Sequence, residues 1–331
     1  MSEQSVLEPS PIAPGRRRRT SMHRTELILA AIAALAFLAL AATTDGNLLQ
    51  AGTLRAVFQF LAVPMVIGLA QMSVLAVGQM NLSVGVLTGL CAMVSASLMV
   101  QNGWPAWLAV LAGVALGALV GLINGVLVVV TRINGFIVTL ATMTVIDGVR
   151  YSVNGTGTFQ GYSDELVRLG RASVLGAPVV FLVALVVALA VGGFFARTVP
   201  GRQLLASGGN PFAARLSGIS NDRSIVLAHV LSGLLAGVAG LLIVALSGSV
   251  NASIGDDLLL PSFAAPIIGG VALTGGVVSV LGTCLAAFIV RLVDVAQAQY
   301  GINPRWVDLI VGAVVLGAVL LSQTRDRGRA R

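Results

Sequence analysis

Between Arg55 and Arg132 the chain runs 76 residues without an Asp, Glu, Lys or Arg. A water-soluble globule covers itself with polar side chains. Lipid needs no such cover, and an arginine at a helix centre there costs about 2.5–3.5 kcal/mol. The remaining charge is gathered into loops and tails. Between them lie apolar runs of about 20 residues, the length that crosses a bilayer core. The pattern predicts ten membrane-spanning helices near residues 27–42, 56–77, 82–100, 104–130, 134–150, 178–196, 225–247, 258–273, 277–296 and 305–322. The fourth is long enough to tilt, and the eighth is short. The expected fold class is an all-α polytopic membrane protein.

Charge orients these spans. Only 10% of residues are charged, mean hydropathy is +0.95 and net charge is +7, against about 25% charged in soluble domains. All 20 basic residues are arginine. With the N-terminus inside, 14 of them fall in cytoplasmic segments: Arg16, Arg17, Arg18, Arg19, Arg24, Arg132, Arg197, Arg202, Arg215, Arg223, Arg325, Arg327, Arg329 and Arg331. That is the positive-inside bias, and it places both termini in the cytoplasm. Asp45, Asp164, Glu165, Asp256 and Asp257 fall outside. The run Arg16–Arg19 followed by Leu27–Leu40 reads either as a signal peptide or as a retained anchor. Repeat symmetry favours the anchor. The arginine run itself fits a topology determinant better than a nucleic-acid arm.

The same residues limit the chemistry. Without a lysine there is no Walker A loop, so any ATP used must be hydrolysed by another subunit. Cys91 and Cys284 sit in apolar runs as small hydrophobes. His229 is the one histidine beyond the N-terminal tail and there is no G-x-S-x-G elbow, which argues against an intramembrane hydrolase. No metal or catalytic cluster is expected.

An internal repeat emerges from the glycines. Gly78-Gln79-Met80-Asn81-Leu82-Ser83-Val84-Gly85 matches Gly248-Ser249-Val250-Asn251-Ala252-Ser253-Ile254-Gly255 at a spacing of 170, and Ile133-Asn134 echoes Ile302-Asn303 at 169. Five spans separate each pair, so the halves should be inverted relative to each other, an arrangement common in transporters. The expected organisation is a cytoplasmic tail over 1–26, a first five-helix repeat over 27–177, a second over 178–323 and a basic tail over 324–331. Uncharged polar side chains at the repeated glycine-rich sites are candidates for a substrate pathway: Asn81, Ser83, Thr139, Thr142, Asn251 and Ser253. The plainer alternative is that they are turn residues. Gly113, Gly117, Gly121 and Gly125 should form a close-packing helix face, as should Gly233 and Gly237.

One cytoplasmic segment, residues 197–224, is long. Within it Gly208, Gly209, Asn210, Pro211, Phe212, Ala213, Ala214, Arg215, Leu216 and Gly218 spell a short helix, with Asn210 as cap, Pro211 in the first position and Gly218 as terminator. Phe212 and Leu216, four apart, make an apolar face suited to a groove on another protein. The alternative is a helix lying on the membrane.

This loop resembles the coupling segment of ABC-importer permeases of the ribose/monosaccharide type, which read G-R-x-x-x-A-x-G-G-N-x-x-A-A-x-x-x-G. The match here is Gly201-Arg202, Ala206, Gly208-Gly209-Asn210, Ala213-Ala214 and Gly218. Asn81-Leu82-Ser83-Val84-Gly85 is similar to the family's D-L-S-V-G, and Phe136 to Met143 to its F-I-V-T-L-G-T-M. Gly269-Gly270 through Leu281-Gly282 is similar to a later glycine-rich stretch. The resemblance implies a homodimeric subunit in the lipid of the bacterial inner membrane. Its partners would be a separate ATP-binding ABC subunit, which uses the ATP, and an extracytoplasmic sugar-binding protein. No cofactor of its own is implied, and no nucleic acid. Asn81, Gln79 and Gly135 depart from the family pattern, which bears on the cargo.

A stand-alone secondary transporter of a small polar solute is the alternative. Such carriers usually need ionisable groups in the membrane. The candidates are Asp147, Arg150, Arg291, Asp294 and Asp308, with Arg291 and Asp294 spaced to pair on one helix. The outer loop 152–177, with Asp164, Glu165, Arg168 and Arg171, is a candidate dock for the binding protein, or a plain solvated loop.

Overall fold

The computed structural model describes residues 16–301 apart from Asp45, together with residues 303, 306, 309, 312 and 313; side chains are described from residue 24 on. The first half is α1 (Arg16–Thr43), α2 (Ala51–Leu75), α3 (Val84–Val100), α4 (Ala106–Thr131) and α5 (Gly135–Asn154). There follow β1 (Thr158–Gln160), α6 (Asp164–Arg171), β2 (Ser173–Val174) and β3 (Ala177–Pro178). The second half is α7 (Val179–Arg197), α8 (Val199–Gly209), α9 (Pro211–Leu216), α10 (Asn221–Leu246), β4 (Ser249–Asn251), α11 (Leu259–Ile268) and α12 (Val280–Tyr300).

Among the described residues seven helices are long and apolar enough to cross a membrane: α1 from Arg24, α2, α4, α5, α7, α10 and α12. At 17 residues α3 is slightly shorter. The eighth expected span is corrected: α11 is a ten-residue helix between a 3-10 turn at Asp256–Leu258 and the turn at Gly269–Gly270. Pro261, Pro266 and the glycine pair interrupt the apolar run. Its Ser262, Ala264, Ala265 and Pro266 are buried in the protein, the setting in which irregular backbone is tolerated at membrane depth. The tenth expected span, 305–322, lies almost wholly outside the described residues. The all-α expectation holds for the spans, with two short strand pairs in addition. β2 and β3 form a small hairpin, and β1 pairs antiparallel with β4, Thr158 opposite Asn251, tying the loop after α5 to the segment after α10.

At the centre stands α2, buried on every side from Leu61 to Leu75 except at Pro64, with α7, α10, α11 and α12 around it. A helix enclosed in this way has no need of a polar face, which is why its sequence shows none. The α4–α10 seam follows the glycine stripe. A Cβ at Gly117 would lie 2.4 Å from the Gly233 oxygen, one at Gly121 2.3 Å from the His229 oxygen, and one at Gly125 2.8 Å from the Val226 Cα. Gly113 turns partly toward α3, where a Cβ would lie 2.2 Å from the Ser95 Oγ. Without a hydrophobic drive between helices in lipid, such backbone approach supplies the packing.

Candidate functional site

The central helix stops short of its end of the bundle. After Leu75 the chain turns through Ala76, Val77 and Gly78, where Gly78 adopts φ +70° and a Cβ would lie 2.9 Å from the Thr274 oxygen. The next residues are extended, and α3 starts only at Val84. This break carries Asn81 into the interior, and the side chain closes its own turn by accepting from the Ser83 amide at 3.0 Å.

Around Asn81 the structure assembles an uncharged polar net. Ser83 Oγ donates to Asn81 Oδ1 at 2.7 Å, and Asn81 Nδ2 donates to Ser232 Oγ of α10 at 3.1 Å. Asn124 of α4 donates to Ser83 Oγ at 3.2 Å and accepts from Thr142 Oγ1 of α5 at 2.7 Å. Thr139 Oγ1 accepts from the Leu82 amide at 3.0 Å and donates to the Gly135 oxygen at 2.7 Å. With its amide oriented so that both atoms have partners, Gln71 donates to the Asn81 oxygen at 2.9 Å and accepts from the Asn81 amide at 3.3 Å. Gln79 Oε1 accepts from the Gly135 amide at 2.9 Å. Asn81, Ser83, Asn124, Thr139 and Ser232 are fully buried. Beside them lies a cavity of about 290 Å³ lined by Gly78, Met80, Asn134, Phe136 and Ile137. His229, one turn from Ser232, is buried with neither ring nitrogen hydrogen-bonded to a described residue.

Four of the six expected pathway residues therefore come together, and two do not. Asn251 repeats the local turn, accepting from the Ser253 amide at 3.1 Å, yet both side chains are exposed rather than joined to the net. The copies nonetheless touch at their final glycines. A Cβ at Gly85 would lie 2.7 Å from the Gly255 oxygen, and one at Gly255 2.5 Å from the Gly85 oxygen. Sequence reasoning missed Gln71, Asn124 and Ser232. Their signal was present, since an amide or hydroxyl inside a charge-free span needs a partner.

The expected coupling segment is two helices rather than one. Thr198 caps α8 by accepting from the Gly201 amide at 3.1 Å, and Asn210 caps α9 by accepting from the Phe212 and Ala213 amides at 3.1 and 3.0 Å. Pro211 takes the first position of α9 and Gly218, at φ +77°, follows its end. Ala214 is buried, while Phe212 and Leu216 are 71% and 77% exposed. The α8 end is fixed to the break in α2: a Cβ at Gly208 would lie 2.0 Å from the Ala76 oxygen and 2.8 Å from the Gly276 amide, which itself donates to Ala76 at 2.9 Å. Nearby, Arg132 forms a two-pronged ion pair with Asp222, at 2.8 and 3.1 Å, joining α4 to α10. The Asp222 carboxylate raises the Arg132 pKa further above its ordinary value.

At the opposite end Arg150, 1% exposed, pairs with Asp256 at 2.8 Å and Asp147 at 3.2 Å, linking α5 to the turn before α11. Arg291 pairs with Asp294 at 3.5 Å as its spacing suggested. Asp308 lies outside the described residues. In the loop after α5 Asp164 and Glu165 open α6 and Arg168 and Arg171 close it, each sign at the helix end that favours it. Tyr162 is buried there with its hydroxyl donating to the Ser247 oxygen, and burial pushes its pKa up to about 12.

A helical bundle of membrane-length spans, with an uncharged polar net at a helix break and a capped, partner-ready helix fixed to that break, defines a membrane permease component. The family described as branched-chain amino acid transport system / permease component matches residues 56–319, and the chain belongs to it. It is 31% identical over 300 residues to the fructose import permease protein FrcC of Rhizobium meliloti, covering 87% of this chain and 82% of that one. It is 31% identical to the autoinducer 2 import system permease protein LsrC of Enterobacter sp. (strain 638), covering 81% and 78%. It is 29% identical to the D-allose transport system permease protein AlsC of Escherichia coli (strain K12), covering 83% and 84%. The resemblance to monosaccharide-type ABC-importer permeases is borne out, and the protein is a multi-pass protein of the inner membrane.

Proposed function

We propose that this chain forms the membrane path of a binding-protein-dependent ABC importer for a small sugar or related polyol. The observation that carries the reading is the uncharged net of Asn81, Ser83, Asn124, Thr139, Thr142 and Ser232 at the α2 break. A neutral polyol leaving water needs donors and acceptors, and such a net supplies both without a fixed charge. Relatives named for fructose and D-allose import point the same way. The separate ATPase subunit would seat α9 through Phe212 and Leu216. Because α8 abuts Ala76 and Gly276, motion of α9 reaches the break that holds Asn81. The chain itself has no ATPase site and needs no cofactor. Alternating access then requires no chemistry here.

The topology that fits is ten membrane-crossing segments with both termini cytoplasmic, in two inverted repeats, the eighth segment being short α11 with its flanking turns rather than a full helix. The reciprocal Gly85–Gly255 approach supports the inversion, since equivalent residues touch reciprocally where a two-fold axis passes between them. A homodimer is favoured by α5: Thr144, Asp147, Tyr151 and Ser152 are exposed on a membrane-length helix, where lipid offers no partners. A second copy set against this face would shelter those groups and line the path. The α6 and β2–β3 end would receive the sugar-binding protein. An ion-coupled carrier is less well supported, because the arginines expected as its charged groups, Arg150 and Arg291, are already paired with carboxylates, which leaves His229 as the unpartnered ionisable group among those named.

The test is uptake of D-fructose and D-allose in vesicles reconstituted with the ATPase and binding protein. Asn81→Leu and Asn124→Leu should each slow uptake at constant assembly and constant binding-protein affinity. Normal uptake by both variants would overturn the pathway reading.

A further inference from the structure

We propose that the groove between α2, α7 and α12 is a site for one anionic phospholipid of the cytoplasmic leaflet. The groove is a cavity of about 740 Å³, apolar along its whole length, with Met65, Leu189, Cys284 and Leu285 among its walls. Phe58, Phe181 and Phe288 close one end, with ring centroids 5.0 Å apart for Phe58–Phe181 and 6.1 Å for the stacked Phe58–Phe288 pair. The other end opens at Arg197, the last residue of α7. From Phe181 at that closed end to Arg197 the helix rises about 24 Å, within a roughly 30 Å hydrocarbon core. The groove is therefore closed by the rings at its inner end, deep enough for an acyl chain, and open at Arg197 where a headgroup would begin.

Two features select the occupant. Gly192 and Gly193 remove side chains from the wall one turn before Arg197; a Cβ at Gly193 would meet nothing within 4 Å, and one at Gly192 only Val280 at 3.9 Å. The space therefore lies beside the headgroup end. Arg197 and Arg202 are exposed there, held together by Arg202 Nη1 donating to the Arg197 oxygen at 3.3 Å. Neither has an ion-pair partner among the described residues, so their charge is free to meet a phosphate. The one carboxylate described near the start of α12, Glu26, accepts from the Ser279 hydroxyl at 2.7 Å. A second copy is a poorer occupant, because α5, the face assigned above to the homodimer, contributes nothing to this groove. The site rests on that reading only for this exclusion, and on the cytoplasmic placement of Arg197.

The experiment uses the full-length transporter in nanodiscs of phosphatidylethanolamine containing a trace of phosphatidylglycerol with a photoreactive group near the end of one acyl chain. After irradiation, adducts are mapped by peptide mass spectrometry, alongside peptides of α4, whose Leu111, Leu119, Leu122 and Val126 are exposed, as a lipid-annulus reference. Adducts should concentrate on α7 and α12 peptides and be displaced by unlabelled phosphatidylglycerol but not by phosphatidylcholine. Arg197→Gln with Arg202→Gln should erase that preference, at about fivefold per arginine. Gly193→Phe, which fills the wall, should abolish the adducts while leaving the α4 reference and the dimer mass unchanged. Even labelling of all lipid-facing helices, or a groove shielded by residues 302–331 or a second copy, would overturn the proposal. A variant that loses the dimer mass while keeping groove adducts would count against the dimer face and not against the lipid site.

Discussion

Gly208→Ala tests the joint between α8 and the α2 break that holds the proposed substrate path. The added methyl would sit 2.0 Å from the Ala76 oxygen and 2.8 Å from the Gly276 amide, so α8 must retreat by roughly 1.4 Å to regain an ordinary contact near 3.4 Å. Overfilling a close-packed contact costs about 1–3 kcal/mol. Alanine gains back about 1 kcal/mol over glycine in a helix. A 2.0 Å approach to backbone belongs at the upper end of that range, so the net loss of about 2 kcal/mol shifts the docked population roughly 30-fold. Gly209→Ala is the matched control, because its Cβ would meet only the Gly276 Cα at 3.6 Å. The assay is sugar uptake per ATP hydrolysed in vesicles holding equal amounts of assembled transporter. Gly208→Ala should lower that ratio at least fivefold while keeping the ATPase subunit bound, and Gly209→Ala should stay within twofold of wild type. Equal ratios in the two variants would refute a mechanical role for this joint.

Leu216→Asp should leave insertion and abundance intact yet weaken co-purification of the ATPase subunit, because a charge would enter an apolar groove; unchanged recovery would mean that α9 rests on the membrane instead. Asn124→Leu leaves Ser83 and Thr142 short of a buried partner and should cost about 1–3 kcal/mol, read as a lower melting temperature in detergent. Asp256→Asn removes one of the two carboxylates facing Arg150 and should speed proteolysis of the segment between β4 and α11, an effect absent in Asp257→Asn. Because the folded Tyr162 holds its proton up to about pH 12 while an unfolded tyrosine loses it near 10, stability should fall as pH rises from about 10 to 12. Tyr162→Phe should remove that part of the slope.

The spans were legible wherever charge is absent for long enough, and so α2, α4 and α10 fall almost where the apolar pattern puts them. The pattern failed where the surroundings rather than the composition decide. Leu258 to Leu273 reads as a span, but burial against α2 and α12 lets the chain abandon the helix at Gly269. Val199 to Gly209 reads as loop because it carries an arginine and ends in two glycines; contact with Ala76 and Gly276 makes it a helix terminus. The repeated motif located Asn81 and its turn correctly. It could not reveal that Asn251, in the same turn, would face outward, since that depends on the short α11 that follows. Asn124 was hidden by its company, standing between Gly121 and Gly125 in a stripe that announces packing.

That stripe determines which parts of the bundle have freedom to move. At the glycines of the α4–α10 seam the nearest approaches are to backbone atoms, which have no rotamer to switch. Sliding one helix along the other would drive these backbones together, so the pair is expected to travel as one body. Asn124 rides on one of them, Ser232 and His229 on the other, which makes the spacing among these three a fixed ruler set across the interior. Any reshaping of the polar net must therefore come from the α2–α3 break and α5, shifting against a measure that does not itself change length.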